Sequence, residues 1–287
     1  MATKTESKAV VTKEQAQLPA EYAGLEEFAG QGLDDLDSSD RSIPFIKVLE
    51  KNSPEIETVD GAKPGMFINT ATQKLYDSIR FVPATRDHMF VEWVPIDNGG
   101  GLVQSYGLQE AISQWAKSQR GKIKLKNGND LVETFYLYGI LLPEEGEDDE
   151  PMPVVISFTS TRIKAYKSIV NRSDRIMLRG AGGRKFKAPW FCHVWRLTTE
   201  KKVDGNQSWY IYKAEFDGPD AEAVRLPTDH PAVQMGAEMC RQKQTGELKV
   251  NAEGAAGDQP DTPSRDDGGY SGGGSGRDAG VDDDPPF

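Results

Sequence analysis

Leu131-Val132-Glu133-Thr134-Phe135-Tyr136-Leu137-Tyr138-Gly139-Ile140-Leu141-Leu142 is the strongest strand signal in the chain. It is dense in the aromatic and aliphatic side chains that suit a pleated, packed surface. Working outward, Pro153–Phe158 reads as a second strand, and the acidic loop 143–152 as a long hairpin connection between the two. Upstream, Ser78–Pro83 (SIRFVP) and Met89–Pro95 (MFVEWVP) are β-rich runs with partial alternation, and Gly65–Asn69 is a shorter one. Ile43–Leu49 begins the ordered structure, where Pro44 is confined to an edge or first position of a strand. Downstream, Trp190–Leu197 and Ser208–Phe216 read as paired strands joined around Asp204-Gly205-Asn206.

Helical spacing appears in three places. Leu108–Gln119 sets Leu108, Ile112 and Trp115 on one stripe. Thr161–Val170 sets Ile163, Tyr166 and Val170 toward a core, with Ser160 or Thr159 as N-cap. A last helix is expected at about Pro231–Gln244. The fold class is therefore α+β and β-rich, with an OB-like barrel core, helical additions and a disordered acidic C-terminal tail. Residues 1–20 read as a disordered arm, 21–250 as the folded domain, 251–280 as a Gly/Asp-rich linker and 281–287 as an acidic tip.

The chain has 287 residues, 37% of them hydrophobic, and a mean hydropathy of −0.58. No run of 18 apolar residues offers a membrane span, and the N-terminal stretch lacks the apolar segment of a secretory signal. Cys192 and Cys240 lie far apart without ligand spacing, so a zinc site or disulfide framework is not expected and the cytoplasm is the expected compartment.

The net charge of −11 argues against nucleic acid until its distribution is read. Residues 1–60 hold 6 basic and 13 acidic side chains, the run Glu144–Glu150 holds six acids, and residues 252–287 hold two bases and nine acids. The remainder is net +9. Exposed charges act over about 8 Å at physiological salt, so a basic body can carry acidic appendages and still attract phosphate. The excess concentrates in Arg162, Lys164, Lys167, Arg172, Arg175, Arg179, Arg184, Lys185, Lys187 and Arg196, against one acid, Asp174. Lys122 and Lys124 belong to a second basic stretch. Aromatic residues interleave with the main segment and follow it: Tyr166, Phe186, Trp190, Phe191, Trp195, Trp209, Tyr210 and Tyr212. Single-strand binders combine such cations with rings on which bases stack. Trp190, Trp195, Trp209, Tyr210 and Tyr212 are the candidate stacking rings. Strand residues alternate between faces, so roughly half of these rings are expected inside.

Signals for catalysis are weak. Gly180-Ala181-Gly182-Gly183-Arg184-Lys185 lacks the spacing and strand–loop–helix setting of a phosphate loop. His88, His193 and His230 are isolated, and His193 reads as an interior histidine. No catalytic residue, metal ligand or cofactor is expected.

The chain ends in Asp282-Asp283-Asp284-Pro285-Pro286-Phe287 after its glycine-rich tether. This tip resembles the acidic–Pro–Phe ends of the bacterial single-stranded DNA-binding protein family, with Pro285 where family tails often carry Ile. The resemblance covers about the last 35 residues. It implies that Phe287 fills an apolar pocket on a partner while Asp282, Asp283 and Asp284 meet basic residues around it. The segments IPFIKVLEKNSPEI, PGMFINTATQKLYDSIRFVPATRDHMFVEWVP and VISFTSTRIKAYKSIV also resemble a widespread phage family associated with DNA replication or recombination. The expected function is sequence-independent binding of single-stranded DNA, with replication or recombination enzymes recruited by residues 282–287. A single-strand annealing protein is the second reading and a metal-dependent nuclease the third.

Overall fold

The computed structural model describes residues 42–95, 98–110, 115–119 and 122–248. In chain order the elements are β1 (Phe45–Val48), α1 (Glu55–Thr58), β2 (Phe67–Asn69), β3 (Leu75–Tyr76), β4 (Ser78–Trp93), β5 (Leu102–Tyr106), β6 (Trp115–Gln119), β7 (Lys122–Leu125), β8 (Asp130–Leu142) and β9 (Met152–Thr159). They continue with α2 (Ile163–Ser173), β10 (Met177–Arg179), β11 (Lys185–Lys187), β12 (Trp195–Asp204), β13 (Gln207–Phe216) and α3 (Pro231–Thr245).

β4 and β8 are the spine. They pair antiparallel from Arg80↔Leu142 to Trp93↔Asp130, with a register shift between Pro83 and Thr85. Proline has no N–H to give a ladder, so a bulge at Pro83 is where a long central strand tolerates it. The partner of Pro83 is Gly139, and a Cβ there would lie 2.3 Å from the Val82 carbonyl oxygen and 2.4 Å from the Phe81 ring. Glycine is thus required by close approach of the two strands. The two β runs read from sequence at Ser78–Pro83 and Met89–Pro95 are one bulged strand, whose first half also pairs β12 and whose second half also pairs β5.

The full path runs β13-β12-β4-β8-β9-β1-β2-β3, with β5, β6 and β7 attached at the far end of the spine. The sheet curls into a half-barrel. Its two ends meet through side chains: the Thr199 hydroxyl donates to the Gly65 carbonyl at 2.6 Å, and the Phe67 and Tyr212 rings lie 5.5 Å apart. Arg162 joins the same two ends. It forms an ion pair with Glu50, donates to the Tyr210 carbonyl at 3.2 Å and lies over the Tyr212 ring.

Both faces of the central sheet are covered. Phe135, Leu137 and Leu141 enter a core that includes Ala165, Tyr166 and Ile169 of α2. Tyr136, Tyr138, Ile140 and Leu142 enter a second core with Ala232 and Met239 of α3. A strand buried on both faces reads as a continuous apolar run, which is why Leu131–Leu142 stands out. At the far end, Glu92 is buried yet accepts from the Asn127 amide at 2.8 Å, the Asn129 amide at 2.5 Å and the Tyr106 hydroxyl. Burial pushes its carboxyl pKa up, but the hydrogen bonds from Tyr106, Asn127, Asn129 and Gln104 outweigh that and hold it below the ordinary value.

Two helical expectations change. Residues 115–119 form β6, because hydrogen bonding to β7 overrides a short helix-like spacing. α2 starts at Ile163 after a 3-10 turn, with no side-chain cap, and buries Ala165, Tyr166, Ile169 and Ser173. α3 follows expectation. Pro231 sits in its first turn, the His230 imidazole accepts from the Ala232 N–H, and Gly246 at φ +80° ends it. Among the described residues no helix is long and apolar enough to cross a membrane.

Gly139→Ala is expected to lower unfolding stability by about 1–3 kcal/mol through overpacking. Chemical denaturation measures it, and an unchanged midpoint would contradict the close approach.

Candidate nucleic-acid interface

α2 presents two faces. Its buried stripe holds Ala165, Tyr166 and Ile169, and the opposite side leaves Lys164 and Lys167 exposed, while Arg172 lies at the edge of the buried stripe. Helical phase therefore separates apolar from basic residues that are mixed in the sequence. The chain leaves α2 through Asp174 and exposed Arg175 and enters the β10–β11 hairpin directly. That hairpin is a separate two-stranded ribbon, with registers Met177↔Lys187, Leu178↔Phe186 and Arg179↔Lys185. Its turn is Gly180–Arg184, where Gly182 and Gly183 both adopt φ +79°, a conformation that suits glycine. The hairpin exposes Arg179, Arg184, Lys185 and Lys187.

The ten bases singled out from sequence divide clearly. Lys164, Lys167, Arg175, Arg179, Arg184 and Lys185 are exposed and form no ion pair among the described residues. Lys187 is exposed but paired with Asp174. Arg172 is exposed with its guanidinium 4.3 Å from the Phe216 ring centroid and 5.2 Å from that of Trp195. Arg162 and Arg196 do not join the surface. Arg162 is the buried clasp described above. Arg196 is held by Asp217 at 2.6 Å and by Glu144 at 2.9 Å, in a network that also holds Arg80. These ion pairs neutralise both Arg162 and Arg196. Lys124 likewise pairs with Asp130 at 2.8 Å. For Lys122 only the backbone, in β7, is described.

Most of the candidate rings are interior. Trp195 is fully buried, and its indole N–H has no hydrogen-bond partner. Trp209 and Tyr212 are also buried. Trp195 and Tyr212 belong to the core under α2. These three are corrected from stacking platforms to core residues. Alternation on the paired strands β12 and β13 sets Trp195 and Tyr212 on the same inward face, whereas Trp209 is buried on the other face of β13. Trp190 and Tyr210 are half-buried against that core, and the Tyr210 ring lies on Gly65. The ring left outside is Phe186, at 44% exposure. The Lys-Phe-Lys alternation of a short glycine-flanked segment was the signal for it, since such a segment has little core to enter.

The acidic loop is tied to the body. Glu147 and Asp149 meet Lys74 at 3.2 and 2.5 Å, and Glu144 meets Arg196. His193 is buried beside Cys192, with its Nδ1 3.2 Å from the Cys192 sulfur. Burial, then the nearby Arg225 charge, lowers the His193 pKa, and burial pushes the Cys192 thiol up to about 11. The acidic tip Asp282–Phe287, residues 1–20 and the linker 251–280 lie outside the described residues.

A family model described as Pam3 phage gp34-like protein matches residues 12–249. No curated protein and no solved structure matches the chain.

His193 yields a pH prediction. Its folded pKa is lowered, so the unfolded chain binds the proton more readily, and stability present above about pH 6.5 is lost as the pH falls through the folded value. Between pH 7.5 and 5, wild type is expected to lose more unfolding free energy than His193→Gln, read by urea titration at each pH. Equal losses would contradict a buried neutral imidazole.

Proposed function

The chain belongs to the Pam3 phage gp34-like protein family, and we propose that it binds single-stranded DNA without reading sequence, in the cytoplasm of the infected host. The observation that carries this reading is the hairpin register. Arg179 and Lys185 are direct cross-strand partners, so two cations face each other on an exposed ribbon. Like charges placed opposite destabilise a strand pair. A phosphate between them reverses the sign of that interaction. Lys164, Lys167, Arg175 and Arg184 extend the charge along α2 and around the hairpin turn. Each cation that meets a phosphate releases a condensed counterion, which supplies affinity without base readout.

The protein acts by binding rather than by chemistry in this reading, and the curled sheet serves as an OB-like core that carries the interface on its appended helix and hairpin. The tip Asp282-Asp283-Asp284-Pro285-Pro286-Phe287 recruits replication or recombination enzymes, with Phe287 as apolar anchor and the three carboxylates at the rim. A buried Phe contributes about 1.5–3 kcal/mol, which suits a contact of modest affinity.

Six unpaired cations predict that log K for oligo-dT falls against log salt with a slope of about −4, at about 0.7 per phosphate. Replacing Arg179 and Lys185 together with Ala is expected to make the slope shallower by about 1.4. Fluorescence anisotropy across a salt series measures both. Affinity that does not change with salt would contradict the proposal.

A further inference from the structure

The β10–β11 hairpin has a second face. Direct cross-strand partners share a side, so Met177, Lys187, Arg179 and Lys185 lie on one, and Leu178 and Phe186 on the other. Leu178 is half-buried, whereas Phe186 is 44% exposed. The Phe186 ring is also braced. A Cβ built on Gly180 would lie 3.4 Å from its Cε1 and 3.7 Å from its Cδ1, so the ring rests close to a bare glycine backbone. Among the described residues it is the one aromatic side chain among the exposed large hydrophobics.

Cations alone do not favour a single strand. Duplex DNA has the higher charge density and releases more counterion per phosphate met, about 0.9 against about 0.7. A preference for single strands therefore needs a group that meets an unpaired base. Trp195, Trp209 and Tyr212 are buried and cannot supply it. Resting on the nucleic-acid reading above, we infer that Phe186 stacks on one unpaired base and sets the preference for single-stranded over duplex DNA. The cations on the hairpin's other face and around its turn then hold the flanking phosphates.

The test uses the full chain and three ligands of equal length: oligo-dT, an abasic single strand and a duplex. Phe186→Ala is expected to weaken oligo-dT binding by about fivefold to a hundredfold, the range of one lost base stack, and to leave the abasic strand and duplex unchanged. Phe186→Trp is expected to restore oligo-dT affinity, since indole stacks at least as well. Equal loss on all three ligands, no loss on oligo-dT, or no rescue by Trp overturns the inference while leaving DNA binding standing. Wild-type protein that binds none of the three overturns the nucleic-acid reading itself.

Discussion

The ion pair between Arg162 and Glu50 is the contact on which the rest of the architecture depends. Glu50 follows β1 near one end of the curled sheet, and Tyr210 and Tyr212 sit on β13 at the other. One guanidinium reaches all three, through its bonds to the Glu50 carboxylate and the Tyr210 carbonyl and its place over the Tyr212 ring. Taking that charge out of water is costly, and only a carboxylate, an oriented carbonyl and an aromatic face together offset it. The result is a half-barrel drawn together without a backbone ladder between its ends. Phe67, Phe158, Trp195 and Tyr212 fill the space so enclosed.

That closure determines where a ligand can go. α2 covers one face of the central strands and α3 the other, so the strands themselves offer little open surface. Unpaired positive charge is instead found on the outer side of α2 and on the hairpin that follows it. In the acidic loop 144–150, Glu144, Glu147 and Asp149 are paired with Arg196 and Lys74. A chain of net charge −11 can in this way present a locally basic interface.

Much of the sheet was legible in the sequence because β8 and β9 are long, apolar and bounded by polar turns. α3 was legible because His230-Pro231 and Gly246 punctuate it. The helical stripe expected over Leu108–Gln119 gives way to β6 at Trp115–Gln119, because a short apolar stripe does not distinguish helix from strand and the pairing with β7 is decided by tertiary contact. The β10–β11 hairpin gives no strand signal in the sequence, since three-residue strands around Gly180–Gly183 leave almost no pattern. At the site, the number of cations was legible and their availability was not. Arg162 is withdrawn by Glu50, 112 positions away, and Arg196 by Glu144, 52 positions away. Local sequence carries no trace of such partners. The tryptophans were overvalued for the same reason, because the direction of alternation in β12 and β13 becomes visible only with the sheet.

In the proposed function, DNA meets the α2–hairpin surface and not the face of the sheet. Photocrosslinking with a halogenated single-stranded oligonucleotide, followed by peptide mapping, tests it most directly. Crosslinks are expected within residues 164–187, centred on Phe186, and none at Trp195, Trp209 or Tyr212. Crosslinks that map to the β12–β13 strands and spare the hairpin would contradict it.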